Sequence, residues 1–500
     1  METKNQKIVG IEAQLNASLL SEKTNKRFFT LSEFRHEVGI PLVLAKKLVI
    51  WGVIEAEKAV DGTLRIAGSQ VAVAIDLFEK PWIKAYYFIR ALGPGLITGA
   101  SDDDPSGIGT YSSVGAKFGF AILWMAAWLL PMMMAIQEVC ARIGIVTNRG
   151  LAGVLQKHYK KKIVAVAVVL LIVANIANIG ADLGAMAASL QMLIPINFYV
   201  AAIFFAALTI VFEIFVGYHL YVKFLKWLAI SVFAYIVTGF IIHPDWKMVF
   251  GSVIIPQITF SKEYLFAIIA IFGTSITPYL FFWQTSEEVE ENRMHKKLHK
   301  LLGSKEDSLK IRIGRMRTDV GTGMILANIV FFFIVVTTAQ VLFSQGITNI
   351  NSAEQAAMAL RPLAGDYAFL LFAFGIIGTG MLAVPVLAGS GAYALSEIMN
   401  WREGLEEKFS RAKGFYLVIT VSIIVGLSLN FFHINPILAL YYSAFLNGII
   451  ALPLLIIIMI VGDDKKIMGR ETHPMWVRIF GWLSILFMIG AVIATGILYV

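Results

Sequence analysis

The chain has 500 residues, of which 58% are hydrophobic and 15% are charged, and its formal net charge is +8. Soluble domains are about 45–50% apolar and about 25% charged, so this composition excludes an ordinary soluble protein. Apolar stretches of about 18 residues or more recur along the chain, and each could cross a bilayer core. Residues 1–82 are polar and mixed in charge, which is not typical of a secretory signal. We therefore expect a multi-pass protein of the cell membrane with its N-terminus in the cytoplasm.

The first 82 residues are predicted to form a separate cytoplasmic domain, because about 80 residues suffice for a small core. The stretch Phe29–Phe34 reads as the start of a helix with Thr30 as its cap. Residues 41–52 read as a second helix.

A hairpin is predicted to follow these two helices. Val53–Ala56 and Leu64–Ile66 flank Asp61-Gly62, which is a strong turn signal. Two helices and a hairpin resemble a small winged-helix domain with α+β structure. Such domains often bind DNA, but a membrane-tethered one more often serves regulation or contacts between parts of a protein. We expect no nucleic-acid partner and leave the partner of this domain open.

Residues 83–500 are predicted to form an all-α domain of eleven membrane-spanning helices. The predicted spans are 89–116 (interrupted), 118–145, 162–187, 192–217, 224–243, 263–289 (interrupted), 319–344, 366–398, 414–431, 435–461 and 476–499. With the N-terminus inside, the cytoplasmic loops hold 25 Lys and Arg residues and the opposite loops hold four. Cytoplasmic loops retain Lys and Arg, so this asymmetry supports the predicted count. The basic run Arg293–Arg317 is expected to be a cytoplasmic loop against anionic lipid.

The first span contains three consecutive aspartates followed by a proline, Asp102-Asp103-Asp104-Pro105, with apolar sequence on both sides. Proline removes a backbone donor and clashes with the preceding turn, so the helix should break here. Buried carboxylates are costly unless they are paired or bind a cation, and they therefore indicate a functional site. An extracellular loop between two short spans is the alternative. It is disfavoured because residues 107–114 are too short to cross the membrane.

The sixth span repeats this feature in the run Gly273–Leu280, where Thr277 precedes Pro278. The first and sixth spans would open two five-helix halves of inverted topology. Paired broken helices at corresponding places in two halves indicate the midplane binding site of a transporter. We therefore expect a cation to bind between the two breaks.

These motifs resemble the NRAMP family of divalent metal transporters over roughly residues 86–500. The run from Gly93 through Asp104-Pro105 is similar to the family's first helix, Gln137–Thr147 to the end of its second, and Gly273–Tyr279 to its sixth. The resemblance implies a LeuT-type fold with a 5+5 inverted repeat. It also implies eleven or twelve helices and metal bound at the unwound parts of helices one and six.

The chain departs from this family pattern at several ligand positions. The metal-binding asparagine of the family falls on Gly107, which has no side chain. A methionine and a histidine of the sixth helix fall on Thr277 and Tyr279. The acidic pair of the third helix, which the family associates with proton movement, falls on Ile179 and Asp182. These departures resemble the NRAMP-related magnesium transporters.

The resemblance thus implies a site made of oxygen ligands around the position of Gly107. Asp104 is expected to anchor the cation, with Asp103 as a second charge. The side chains of Thr274 and Thr277 and the carbonyl of Ser101 complete the expected ligands. Without the methionine the site should favour hard cations, because Mg²⁺ prefers oxygen and keeps several waters. We expect uptake of Mg²⁺, also admitting Mn²⁺, without proton coupling.

Other polar residues within the predicted spans have two readings. Asn175, Asn178, Asn328 and Asn447 are either hydration partners of a bound ion or, more commonly, hydrogen-bonding residues between helices. For Asp182, the sequence leaves open whether the side chain faces the permeation route. The one cysteine, Cys140, reads as a packing residue and excludes an intramolecular disulfide.

The chain contains neither a phosphate-binding loop motif nor a His-Glu-x-x-His zinc motif, so we expect a transporter rather than an enzyme, without a resident cofactor. A proton-coupled Mn²⁺/Fe²⁺ transporter is the main alternative. A carrier of organic solutes is disfavoured because three aspartates would repel a substrate carboxylate. A membrane-anchored sensor that reads cation occupancy remains a third hypothesis.

Overall fold

The computed structural model divides the chain into two units, Met1–Gly93 with Glu291–Ser308, and Pro94–Glu290 with Leu309–Val500. The predicted domain boundary between residues 82 and 83 lies outside the described residues. The structure describes residues 94–216, 230–302, 308–405, 407–499 and, before them, 28–30, 33–34, 38, 45, 48–49, 54, 56–58, 64–67, 70–71 and 74.

A small antiparallel sheet lies in the first unit, with its strands in the order β1-β3-β2. The strands are β1 Phe28–Thr30, β2 Ala56–Lys58 and β3 Leu64–Ala67. Ala56 of β2 lies opposite Ile66 of β3 in an antiparallel pair, but β2 covers Ala56–Lys58 and shares only Ala56 with the predicted strand Val53–Ala56. The predicted turn at residues 61–62 lies outside the described part.

Thr30 caps a helix, as predicted, although it is also the last residue of β1. Its hydroxyl accepts from the backbone amide of Glu33 at 3.3 Å, and its own amide donates to the Glu33 carboxylate at 2.9 Å. This reciprocal pair is a capping box. Phe29, Phe34, Leu48 and Ile66 belong to one buried apolar cluster.

The second unit is built from long apolar helices, and residues 291–302 of its helix Pro278–Leu302 belong to the first unit. Its helices are α1 Pro94–Asp102, α2 Pro105–Phe118, α3 Trp124–Thr147, α4 Leu151–His158, α5 Lys161–Gln191, α6 Phe198–Val211, α7 Ala234–Ile241, α8 Trp246–Ile254, α9 Lys262–Ser275, α10 Pro278–Leu302, α11 Leu309–Val341, α12 Ala353–Ala357, α13 Arg361–Ala364, α14 Ala368–Met399, α15 Lys413–Leu429, α16 Pro436–Asp463, α17 Lys465–Met468 and α18 Met475–Tyr499.

Within the described part, nine helical stretches are long and apolar enough to cross a membrane. They coincide with nine of the eleven predicted spans. The other two predicted spans are the first, which consists of the short helices α1 and α2, and the fifth, of which the structure describes the apolar segment Ser231–Ile241.

The basic run Arg293–Arg317 differs from its prediction. We expected a loop, but α10 continues to Leu302 and α11 begins at Leu309. Polar residues with good helix propensity, such as lysine and arginine, extend both helices beyond their apolar segments. Hydropathy located the apolar parts and therefore misplaced the helix ends.

Arg142 lies inside α3, within the predicted span 118–145. It is 3% exposed and forms an ion pair with Glu138, one turn earlier in the same helix. Arg317 of α11 donates to the same Glu138 carboxylate at 2.8 Å. One buried carboxylate thus joins α3 to α11.

Glycines bring α9 into direct backbone contact with α16. A Cβ atom added to Gly273 would lie 1.9 Å from the carbonyl oxygen of Ala444, and one added to Gly448 would lie 2.4 Å from that of Ile269. Small residues at such crossings let helix backbones approach closely in membrane proteins. This packing fixes the end of α9, where the sixth predicted span breaks.

Candidate cation-binding site

The first break lies between α1 and α2, and Asp104 caps the second of these helices. Its backbone is extended, with φ −67° and ψ 173°, because a residue before proline is disfavoured in the helical region. Pro105 occupies the first turn of α2, where a missing amide costs nothing. The carboxylate accepts from the Gly107 amide at 2.7 Å and from the Ser106 hydroxyl at 2.6 Å. The Asp-Pro pair therefore both ends one helix and starts the next.

The second break lies between α9 and α10, and it too is followed by a helix that starts at a proline. Ile276 and Thr277 leave the helix, and α10 begins at Pro278. Ile276 has φ −122° and ψ 65°, which ends the regular helical geometry. The Thr277 hydroxyl is buried and has no hydrogen-bond partner among the described residues. The break thus leaves the hydroxyl of Thr277, a position predicted from the sequence, without a hydrogen bond in the described part.

The two breaks lie against each other. The hydroxyl groups of Ser106 and Thr274 are 3.1 Å apart. The Tyr279 hydroxyl donates to the carbonyl of Ser101 at 2.7 Å. This carbonyl therefore already has one donor, and one of its two lone pairs remains available.

Gly107 faces the space between the breaks. A Cβ atom built there would lie 3.1 Å from the Asp102 carbonyl oxygen and 3.5 Å from the Thr274 hydroxyl. A side chain at position 107 would therefore enter the same space. Glycine at this position lets these groups approach each other closely.

The carboxylate of Asp104 is only partly occupied by hydrogen bonds. Oδ1 accepts the two donors of α2, while Oδ2 accepts only the amide of Asn178 on α5, at 3.0 Å. Asn178 in turn accepts from the amide of Asn447 on α16, at 3.1 Å. A carboxylate oxygen has about two lone pairs, so Oδ2 retains one for a cation.

Three further carboxylates are buried near Asp104. Asp102 and Asp182 are both 0% exposed, and neither has a hydrogen-bond partner among the described residues. Asp103 is 8% exposed, and one of its two carboxylate oxygens, Oδ1, is buried without a hydrogen-bond partner among the described residues. Asp102, Asp103 and Asp182 all interact electrostatically with Asp104. No Lys, Arg or His of the described chain forms an ion pair with any of the four.

The chemistry of this cluster follows from four buried carboxyl groups without a basic partner among the described residues. Within the described part, no three side chains of the types His, Cys, Asp and Glu are arranged to hold a metal ion alone. A bound cation would therefore depend on carbonyl, hydroxyl and amide oxygens and on its own waters. That ligand chemistry suits hard cations.

The structure thus places every predicted ligand position at the two breaks, and Asp102 and Ser106 lie there as well. Asn178 and Asn447, which the sequence analysis left open between ion hydration and helix packing, are linked to Asp104 by hydrogen bonds. Asn178 and Asp182 are one helical turn apart on α5, so their spacing signalled a common polar face. Asn175 and Asn328 instead donate to the carbonyls of Leu387 and Ala126 in neighbouring helices.

Comparisons with known proteins identify the family of this chain. A model of the Nramp family, described as natural resistance-associated macrophage protein-like, matches residues 95–498. The chain belongs to the Nramp family. This Nramp protein is 24% identical over 410 residues to the divalent metal cation transporter MntH of Klebsiella pneumoniae, covering 80% of the chain and 92% of that relative.

Solved structures share the fold of this Nramp protein. A manganese transporter of Eremococcus coleocola has a TM-score of 0.61 at 16% identity, over 81% of this chain and 86% of that one. Mhp1, a nucleobase-cation-symport-1 family transporter, has a TM-score of 0.53 at 15% identity, over 81% and 92%. These structures establish a common LeuT-type fold.

Proposed function

We propose that this Nramp protein is a secondary transporter that takes up divalent metal cations, with Mg²⁺ as the preferred substrate and Mn²⁺ also admitted. The cation would bind between the two breaks and cross without an accompanying proton. Asp104 and Asp103 would supply charge. Oxygen atoms of Ser101, Thr274 and Thr277 would complete the site directly or through water, around the space left by Gly107.

The observation that carries this proposal is the buried and uncompensated carboxylate of Asp104. Its Oδ1 is used by the cap of α2, whereas Oδ2 has one donor and a remaining lone pair. Ionised groups at membrane depth are costly, and they mark ion pathways unless a partner compensates them. A divalent cation held by Oδ2 would provide that compensation.

The preference for Mg²⁺ is supported by the residue types at the two family ligand positions. Thr277 stands where the family has methionine, and Gly107 leaves room for a cation that keeps part of its water shell. Asn178 and Asn447 offer amide groups at the edge of the same space. A thioether would favour softer metals, and water-rich oxygen sites favour Mg²⁺.

The membrane potential could drive this uptake. An inside-negative potential of about 100 mV is worth about 2.3 kcal/mol per charge, or about 4.6 kcal/mol for a divalent ion. Coupling to protons would then not be required.

We further propose that α1 with α2, and the segment that includes α7, complete eleven crossings in a 5+5 inverted repeat. The N-terminus would lie in the cytoplasm of a cell whose plasma membrane holds the protein. The excess of Lys and Arg in alternate loops supports this orientation. The N-terminal unit would be a winged-helix-like domain that does not bind nucleic acid.

A proton-coupled Mn²⁺ or Fe²⁺ transporter is the second candidate. Asp182 favours it, because this buried acid lies near Asp104 and stands where the resemblance implies a proton-linked residue. The manganese transporters of the same fold also favour it. Acidification of the vesicle lumen during uptake would support this candidate over the first.

Uptake into proteoliposomes with a panel of Mg²⁺, Mn²⁺, Ca²⁺ and Fe²⁺ tests the proposal. We expect Mg²⁺ flux without lumen acidification, and loss of that flux in Asp104→Asn. Asparagine keeps the helix cap and removes the charge, so folding should persist. Asp366→Asn is the matched control, because Asp366 is exposed and pairs only loosely with Arg361. Mn²⁺ uptake that is insensitive to excess Mg²⁺ would contradict the Mg²⁺ preference.

A further inference from the structure

Two buried tyrosines connect the half-helices of the two breaks. Tyr279 lies in the first turn of α10, and its hydroxyl donates to the carbonyl of Ser101 in the last turn of α1. Tyr111 lies in α2, and its hydroxyl is 2.8 Å from the hydroxyl of Ser275 at the end of α9. Both tyrosines are 1% exposed. One phenol thus joins α1 to α10, and the other joins α2 to α9.

The contact between α1 and α10 extends away from the break. Thr98 donates to Gln284, and Gln284 donates to Glu288 at 3.0 Å. The carbonyl of Ser101 is one of the last four of α1, which have no partner within the helix. Tyr279 therefore donates to a carbonyl that is unpaired within α1 and at the same time links α1 to α10. We call this face of the site the α1/α10 side.

The contact between α2 and α9 is its counterpart. Ser106 and Thr274 meet next to the break, followed by Tyr111 and Ser275. At the far ends of the two helices, the rings of Phe118 and Tyr264 meet edge to face, 5.1 Å apart. We call this face the α2/α9 side.

A cation between the breaks is consequently closed in on both sides. To leave on either side, the cation requires the two half-helices of that side to separate. This separation breaks the hydrogen bond of the tyrosine that joins them. We propose that Tyr279 and Tyr111 are a matched pair of positioning residues, whose hydroxyls hold the site closed on the α1/α10 side and on the α2/α9 side respectively. This inference rests on the proposed function, since closure matters only if the site carries a cation.

The chemistry of a phenol fits this role at position 279. The resemblance places a family histidine there, and a neutral imidazole can both donate a hydrogen bond and take up a proton. A phenol keeps the donor and lacks the basic nitrogen. Tyr279 can therefore hold the carbonyl of Ser101 without acting as a proton acceptor.

Thiol labelling tests each side separately, without measuring transport. Cys140 is the reporter for the α1/α10 side, because it is buried in α3 against α10 and should become accessible when α10 moves; its carbonyl accepts from Thr285 of α10. For the other side, Ile271→Cys in a Cys140→Ala background places a thiol on α9. This position is one turn before Ser275 and two turns after Tyr264, on the face that meets α2.

We expect Tyr279→Phe to raise the labelling rate of Cys140 about fivefold and to leave Ile271→Cys unchanged. Tyr111→Phe should raise the labelling rate of Ile271→Cys about fivefold and leave that of Cys140 unchanged. A fivefold change corresponds to about 1 kcal/mol, which is the net value of one neutral hydrogen bond. Ser275→Ala removes the partner of Tyr111 and should reproduce Tyr111→Phe, with no further increase when the two are combined.

Tyr416→Phe is the control for general loosening, since its hydroxyl donates to the carbonyl of Glu407 away from both breaks. It should change neither rate. Equal increases at both reporters, or no increase in either tyrosine variant, would overturn the inference. A wild-type protein that moves no cation but shows side-specific labelling would instead contradict the proposed function alone.

Discussion

The four asparagines singled out in the sequence analysis lie within long helices, and their partners separate them into two groups. Asn178 and Asn447 form a chain of hydrogen bonds that ends on Asp104. Asn175 donates to the carbonyl of Leu387 and to the hydroxyl of Ser390, which only joins α5 to α14. The same residue type therefore serves the site in one case and helix packing in the other.

Asn178→Ala is expected to raise the apparent KM for the transported cation about tenfold. A hydrogen bond to a charged group is worth about 1.5–3 kcal/mol, and its loss leaves the Asp104 carboxylate less well oriented. Asn175→Ala should lower the thermal midpoint while leaving KM close to that of the wild type. Initial rates of uptake over a range of cation concentrations give both constants. Equal KM values in the two variants would contradict the assignment of Asn178.

Thr277 is the residue at which the metal preference should be most easily changed. Thr277→Met replaces a buried hydroxyl by a thioether, which binds softer metals. We expect the ratio of Mn²⁺ to Mg²⁺ uptake to rise severalfold. Thr277→Val removes the oxygen without adding sulfur, so it should reduce both fluxes and leave that ratio nearly constant. Competition between the two ions in one preparation measures the ratio, and a ratio unchanged by methionine would contradict the role of Thr277.

At the scale of the elements, the packing of α9 on α16 depends on glycines at their crossing. Gly273→Ala would place a methyl group 1.9 Å from a backbone carbonyl, and the backbone can yield only by separating the helices. We expect the thermal midpoint to fall by several degrees, as for an overpacked core. Gly490→Ala on α18 is the matched control, since its Cβ would meet nothing within 4 Å. That variant should be neutral or slightly stabilised, because alanine is the better helix former.

The connection between α17 and α18 contains a buried titratable residue. His473 packs against Gly462 of α16 and is 4% exposed, and neither ring nitrogen has a hydrogen-bond partner among the described residues. Burial lowers the pKa of His473 to about 4, from an ordinary value of 6.5. The folded protein therefore keeps this ring neutral at a pH where the unfolded chain would protonate it.

Stability should consequently depend on pH through His473. Between pH 6.5 and about 4 the unfolded state binds the additional proton, so the stability from this residue is complete above pH 6.5 and is lost as the pH falls. The loss amounts to at most about 3 kcal/mol. Thermal midpoints from pH 7.5 to 4 should fall less steeply in His473→Gln than in the wild type. Parallel curves for the two proteins would argue against this explanation.

At the scale of the whole molecule, the chain consists of two units, and only the second contains the proposed cation site. A variant that lacks residues 1–82 should therefore retain cation uptake. The same deletion combined with Asp104→Asn should show none, which controls for leakage. If the protein were a sensor rather than a transporter, neither the full chain nor the shortened variant would move a cation.

The sequence by itself determined the apolar segments, the two breaks and the three adjacent aspartates. These features depend on local physics: hydropathy along one helix, the restriction that proline imposes on its neighbours, and the cost of burying charge. The resemblance to the family rested on the same local motifs. Helix ends were less well determined, as at Leu302 and Leu309, because charged residues with good helix propensity continue a helix beyond its apolar part.

Only the tertiary structure decided which distant groups meet. In the sequence, Asn178 and Asn447 cannot be distinguished from Asn175 and Asn328. The packing of α5 and α16 against the first break assigns Asn178 and Asn447 to the site. The links of Tyr111 and Tyr279 likewise join residues more than 160 positions apart. Side-chain partners across helices depend on how the helices rotate and cross, and no periodicity within one helix encodes that arrangement.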